Sequence, residues 1–212
     1  MKQTRVQVGL PGTADTLVDV ARRLFAELGY EGTSVRAITA EARANLGAIT
    51  YHFGSKRELY DRVVGSVVAP LAERVEAVVR GSGPVLDRVE AVVRTYFTYL
   101  AENPDMPRLM MQELVLGGLP SAAVGGPLSR VHRALSGLIV EGQASGEVRS
   151  GEAAVLAVFI ISVPVHLALV QVPLRAFIGV DLRQGEMRER TIEYACGFVR
   201  AGLSAAGEES AP

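Results

Sequence analysis

The sequence is poor in residues that would form covalent cross-links: one cysteine, Cys196, stands among 212 residues. One cysteine cannot form a disulfide within the chain, so a disulfide framework is excluded and a reducing cytoplasm is the expected location. The N-terminal residues lack the apolar core of a signal peptide. The most apolar stretch, 153–165, resumes after His166 but is broken by prolines and polar residues. An uninterrupted span needs roughly 20 apolar residues, so we expect no membrane segment.

Strand-like alternation and catalytic signatures are also missing. No apolar/polar alternation runs long enough to indicate a strand, and no internal repeat is visible, so we expect an all-α fold. His132 and His166 lie far apart and have no Cys, Asp or Glu nearby at ligand spacing. We therefore predict no catalytic residue, no metal site and no cofactor. The formal net charge of −1 identifies no partner.

Helical periodicity and capping signals predict about nine helices in two domains. Residues 1–60 would form a three-helix DNA-binding domain with an N-terminal arm containing Lys2 and Arg5. Residues 61–205 would form a larger helical domain, and 206–212 a disordered tail. The predicted helices cover about 13–29, 33–43, 45–53, 55–80, 85–102, 105–116, 127–145, 151–177 and 186–204.

The segment 33–56 carries the most information about function. It reads as two short helices joined by a tight turn, followed by a third helix that starts with the capping box Ser55-Lys56-Arg57-Glu58. The first of these helices would start at Thr33 or Ser34, and Asn45 would cap the second. This layout is typical of a helix-turn-helix, whose second helix enters the major groove of DNA.

Two stretches within and beside this segment resemble the TetR family of transcriptional regulators. They are FAELGYEGTSVRAI at 25–38 and GAITYHFGSKREL at 47–59. The resemblance implies a homodimeric regulator, a repressor, that binds a near-palindromic operator and is released by a hydrophobic or amphipathic effector. Two positions depart from the family pattern. Arg43 stands where the family often has a glycine in left-handed conformation, and Thr50 where it often has tyrosine.

The expected DNA contacts follow from residue chemistry. Ala48 and the Thr50 methyl group can touch a thymine methyl, and the Thr50 hydroxyl can bond a base edge. Arg36 has a fork suited to guanine or phosphate, while Tyr51 and Lys56 suit phosphates. The complete predicted set is Thr33, Ser34, Arg36, Asn45, Leu46, Gly47, Ala48, Thr50, Tyr51, His52 and Lys56.

The larger domain is expected to bind the effector and to form the dimer. By resemblance, helices five to eight enclose a pocket and the last two helices pair with those of a second copy. The predicted apolar lining is Tyr96, Tyr99, Met110, Met111, Phe159 and His166. The predicted dimer helices are 151–177 and 186–204. The second has one apolar stripe, Ile192, Ala195, Cys196, Val199 and Leu203, and we expect Val199 and Leu203 to lie in the apolar seam of the dimer.

Two alternative interpretations stay open at this point. One is an all-helical enzyme or lipid carrier with an incidental helix-turn-helix, which would need a catalytic constellation that the sequence does not display. The other is a DNA-binding regulator that needs no effector. Operator binding separates the first from a regulator, and a ligand-induced rise in melting temperature separates the second.

Overall fold

The computed structural model describes residues 13–113 and 121–205. This part of the chain is all-α, as predicted, with one isolated β-bridge between Val148 and Ser204. The N-terminal arm with Lys2 and Arg5, the end of predicted helix six and the tail 206–212 lie outside the described residues. The helices are α1 Thr13–Gly32, α2 Val35–Glu41, α3 Ala48–Phe53, α4 Lys56–Val79, α5 Val85–Glu102, α6 Met106–Met111, α7 Ala122–Ser145, α8 Ala153–Leu169, α9 Gln171–Pro173 and α10 Gly185–Leu203.

The chain divides into two compact units, 1–64 and 65–212, and the boundary falls within α4. The first unit is organised around apolar residues at helical spacing, with Leu17 and Phe25 of α1, Ile38 of α2 and Ile49 of α3 fully or almost fully buried. The Phe25 ring packs edge-on against Tyr60 of α4, with 5.0 Å between ring centroids. Aromatic pairs in this arrangement stabilise a core beyond the area they bury.

The second unit has α5 at its centre, packed against α7, α8 and α10. Its core takes Val89 and Val93 from α5, Ile139 from α7, Ile160 from α8 and Val199 from α10. The core residues of α5 and α10 repeat at helical spacing, so each of these two helices presents one apolar face to the shared core.

Several predicted helix boundaries were wrong. α1 continues through Gly29, whose φ of 78° and ψ of 172° interrupt it, as far as Gly32. α3 begins at Ala48 and not at Asn45. α7 begins at Ala122, so it includes Pro127 within its second turn. Local sequence signals predict that a helix is present more reliably than they predict where it begins and ends, because its ends depend on how the chain packs.

The predicted helix 151–177 is two elements. α8 ends at Leu169, and α9 continues into a π-helical segment, Leu174–Ile178, that bends from the α8 axis by 58°. Within the described residues, no single helix is long and apolar enough to cross a membrane, and this bent pair is the one combination that reaches the required length and composition.

Candidate nucleic-acid interface and effector cavity

α3 separates buried from exposed residues clearly. Ile49 is buried in the core of the first unit, whereas Thr50, Tyr51 and His52 are exposed and Tyr51 is 85% exposed. The three exposed residues are consecutive, so they cover the outer side of a short helix whose inner side is held by packing. The exposed face therefore carries the predicted base-reading and phosphate-contacting side chains.

The turn before α3 contains the residue that departs from the family pattern. Arg43 has a φ of 51°, the left-handed conformation expected from the glycine it replaces. The turn is closed by the Ala44 N–H, which donates to the Thr39 carbonyl at 2.8 Å. The predicted left-handed conformation at Arg43 is thus confirmed, and for a residue other than glycine it costs on the order of 1 kcal/mol.

Two residues expected at the start of α2 have different roles. Ser34 is exposed and caps the helix, because its Oγ accepts from the Ala37 N–H at 3.0 Å. Thr33 is fully buried, and its hydroxyl donates to the carbonyls of Leu24 and Gly29. The structure corrects the prediction for Thr33: its side chain joins α1 to α2 and is not available to DNA. Arg36 is exposed on the same helix.

The residues between the turn and α3 lie directly before the exposed face of α3. Asn45 is not a side-chain cap; its backbone carbonyl accepts from the Ala48 N–H at 2.9 Å. Leu46 is exposed, and Ala48 is partly buried. Gly47 has an ordinary φ of −76°, and a Cβ built on it meets no atom within 4 Å. Among the described residues, nothing in the first unit requires a glycine at this position.

Lys56 is positioned by an aromatic ring that the sequence did not point to. Its Nζ lies 4.1 Å from the centroid of the Tyr30 ring, a favourable cation–π distance. Ser55 caps α4 as predicted, with the Glu58 N–H donating to Ser55 Oγ at 3.1 Å. Tyr30 is therefore a positioning residue, and its spacing from Lys56 along the chain offered no sequence signal.

The charges around this face are unevenly paired. Arg23 pairs with Glu27 and Glu41. Within the described residues, Arg36 and Arg43 make no salt bridge. Cations without carboxylate partners leave a local positive potential suited to phosphates. Arg43 was not among the predicted DNA contacts.

Within the described residues, the structure does not bring the six predicted effector residues together at one of the cavities, and their role in binding stays a prediction. Tyr96 and Tyr99 are core residues: burial raises the pKa of Tyr96, and the Tyr99 hydroxyl donates to the Val67 carbonyl at 2.8 Å. Met110 is partly buried at the end of α6, and Met111 is exposed beside it. Phe159 is 61% exposed on α8, and His166 lies at an open groove facing α10.

A half-enclosed cavity of about 480 Å³ lies instead where α8 breaks. Its residues come from α5 and the turn after it, the end of α8, α9 with its π segment, the following loop and the start of α10. They are Phe97, Leu100, Ala101, Pro104, Ala168, Gln171, Val172, Arg175, Asp181, Leu182, Arg183 and Arg188. None of these residues was among the predicted effector residues; the arginines that follow the apolar helix were the signal available in the sequence. Among the described residues, no group of His, Cys, Asp and Glu could hold a metal ion.

The apolar stripe of α10 packs inside its own chain. Ile192, Ala195, Cys196, Val199 and Leu203 are all buried in the core of the second unit, so the prediction that this stripe forms the dimer seam was wrong. The outer face of α10 carries other apolar residues: Tyr194 is 70% exposed and Phe198 is 73% exposed. On α8, Val155, Val158 and Phe159 are exposed as well.

Comparison with known proteins connects both units to one family. Residues 17–63 match the family described as bacterial regulatory proteins, tetR family, and residues 86–199 match the tetracyclin repressor-like C-terminal domain. The HTH-type transcriptional repressor AcnR of Corynebacterium efficiens is 41% identical over 59 residues, which cover 28% of this chain and 31% of AcnR. The alignment thus spans about a third of that relative's length.

Solved structures share the fold over about nine tenths of the chain. The TetR family transcriptional regulator PfmR of Thermus thermophilus superposes with a TM-score of 0.73 at 21% identity, covering 92% of this chain and 99% of PfmR. The transcriptional regulator FadR of Bacillus subtilis, solved in complex with stearoyl-CoA, gives 0.68 at 18% identity over 88% of this chain and 97% of FadR. The two matched domains cover most of the sequence, and both belong to regulators and not to enzymes. The chain belongs to the TetR family of bacterial regulatory proteins.

Proposed function

We propose that the chain is a DNA-binding transcriptional repressor that binds a near-palindromic operator as a homodimer and is released by a small hydrophobic or amphipathic effector. One observation carries the DNA-binding part: α3 buries Ile49 and exposes Thr50, Tyr51 and His52 within the stretch that matches the family's N-terminal domain. A recognition helix that enters the major groove of DNA must be fixed by packing on one side and exposed on the other.

The chemistry of these side chains assigns some of them to the bases and others to the phosphates. Thr50 and Ala48 contact base edges and thymine methyl groups, while Tyr51, His52 and Lys56 hold phosphates. Other residues of the predicted set, Ser34, Arg36, Asn45, Leu46 and Gly47, flank α3. In this proposal residues 1–60 read DNA in the cytoplasm and 61–205 bind the effector and the second copy.

The dimer forms through the exposed faces of α8 and α10. Val155, Val158 and Phe159 of α8 and Tyr194 and Phe198 of α10 are large apolar side chains exposed on the single chain. Large apolar side chains that are exposed in number on a single chain are typical of protein–protein interfaces, and a twofold interface lets the same surface of two copies cover each other.

The proposal is tested by a gel-shift selection with genomic fragments, followed by salt titration on the selected site. Lys56→Ala should weaken binding to all sequences and lower the salt slope by about one unit, because one phosphate contact is lost. Thr50→Ala should change the sequence preference and leave the salt slope near its original value.

A lysine variant with unchanged affinity and unchanged salt slope would contradict the placement of Lys56 on a phosphate. Failure of the unaltered protein to select any fragment would contradict the proposed function itself.

A further inference from the structure

We infer that the cavity at the break of α8 binds an amphiphile with an anionic head group, which names the effector class of the proposed repressor and rests on that function. The head group would be a carboxylate or a phosphate held by Arg175 and Arg188, with an apolar tail along α5. The inference depends on the shape, the charge balance and the apolar wall of the cavity.

The cavity exists because the chain reverses after the π segment. Gly179, with a φ of 75°, ends that segment, and its N–H donates to the Leu174 carbonyl. The following loop then brings Asp181 and Arg183 alongside Arg175. The volume of about 480 Å³ lies within the range of small-molecule sites and is much larger than an inorganic anion needs.

The charges of the lining do not balance. Asp181 is the one acidic residue in the described lining, and Arg183 holds it in a two-pronged pair, with Nε at 2.9 Å and Nη2 at 2.8 Å from its carboxylate oxygens. Within the described residues, Arg175 and Arg188 make no salt bridge. Arg175 also attracts the Asp181 carboxylate at longer range. The described lining thus holds three arginines and one carboxylate, which leaves it with a net positive charge.

Arg188 also lies in the first turn of α10, a helix of 19 residues. A cation near the positive end of a helix is unfavourable, and a bound anion would offset that repulsion. The guanidinium fork of arginine matches the oxygen geometry of carboxylates and phosphates.

The rest of the described lining is mostly apolar. Phe97 and Leu100 of α5 form its buried floor, and Ala101, Ala168 and Val172 line its sides. A free inorganic anion would leave this surface in contact with water, whereas an alkyl tail would cover it. An anionic head beside an apolar wall thus favours an amphiphile over either a neutral lipid or a simple ion.

The test measures binding calorimetrically on the full chain without DNA, using decanoate, decyl phosphate, decanol and inorganic phosphate below any micelle-forming concentration. Decanoate or decyl phosphate should bind more tightly than decanol by about tenfold or more, since a charge-assisted hydrogen bond is lost with the alcohol. Inorganic phosphate should bind weakly. The ratio of the two decyl anions identifies the head group.

Variants then locate the site. Arg175→Gln and Arg188→Gln should each weaken binding of the anionic amphiphile by about tenfold. Arg190→Gln is the matched control, because Arg190 is an exposed arginine of α10 that does not line the cavity. Ala101→Phe should also weaken binding, because the added ring occupies the mouth of the cavity.

Equal binding of decanol and decanoate, insensitivity to both arginine variants, or no binding of either decyl anion would overturn the inference. Operator release is measured separately. Anion binding that depends on Arg175 and Arg188 supports the site even if no operator is found, in which case the proposed repressor function alone fails.

Discussion

Replacing Phe198 by glutamate should convert the proposed dimer into monomers without unfolding the chain. Burial of a phenylalanine side chain contributes about 1.5–3 kcal/mol. Phe198 is 73% exposed on one chain, so covering its remaining surface contributes about 1–2 kcal/mol. A twofold interface counts this contribution twice, and the dissociation constant of the dimer should rise by about 30- to 1,000-fold. Operator affinity should fall with it.

The neighbouring position provides the control. Val199 is 6% exposed and belongs to the core of its own chain. Val199→Glu would bury an unpaired charge and should destabilise the monomer by several kcal/mol. Analytical ultracentrifugation over a concentration series, with circular dichroism melting of each variant, separates the two effects. A Phe198→Glu protein that folds normally and dimerises with an unchanged dissociation constant would refute the assignment of the interface to the outer face of α10.

Three further predictions concern single positions. Gly142→Ala should destabilise the fold by about 1–3 kcal/mol in a denaturant titration, since its Cβ would press into the side chain of Val148. Gly137→Ala on the same helix meets no atom and should stabilise it by up to about 1 kcal/mol; equal effects would contradict the packing. Arg43→Gly should be more stable than Arg43→Ala by about 1 kcal/mol in the same titration, because glycine removes the left-handed strain, and equal stability of the two variants would argue against that strain. Asp181, whose pKa is lowered to about 2 by the hydrogen bond from its arginine partner, should contribute stability above its ordinary pKa of 3.8 and lose that contribution as the pH falls through 2. Carboxyl NMR titration checks this, and an ordinary pKa would contradict the pairing.

The helix-turn-helix was predictable because its signals are local. Ser34 and Ser55 each cap a helix by accepting from the N–H group three residues later. Gly54 follows α3 and has the positive φ that is typical of a glycine at the end of a helix. Even the left-handed backbone at Arg43 was indicated by the local sequence, because Arg43 stands where the family motif often has a glycine. Hydrogen bonds between residues that are close together in the sequence can be predicted from the local sequence alone.

The residues that line the cavity at the break of α8 could not be predicted in the same way. Helical spacing identifies an apolar face, but it does not say which neighbour covers that face. Tyr99 bonds to Val67, 32 residues earlier, and this long-range contact makes it a core residue. The same ambiguity misassigned Val199, since apolar stripes facing a chain's own core and a partner have the same periodicity.

Local patterning was sufficient for the all-α class, for the capped helices of the first unit and for the residues exposed on α3. Tertiary packing alone decided that Thr33 is buried, that α8 ends at Leu169, and that Arg175 and Arg188 face one cavity from separate elements. The physical reason is the range of the interactions: hydrogen bonds between near neighbours form helices and caps, whereas burial and cavity shape depend on segments far apart in the chain.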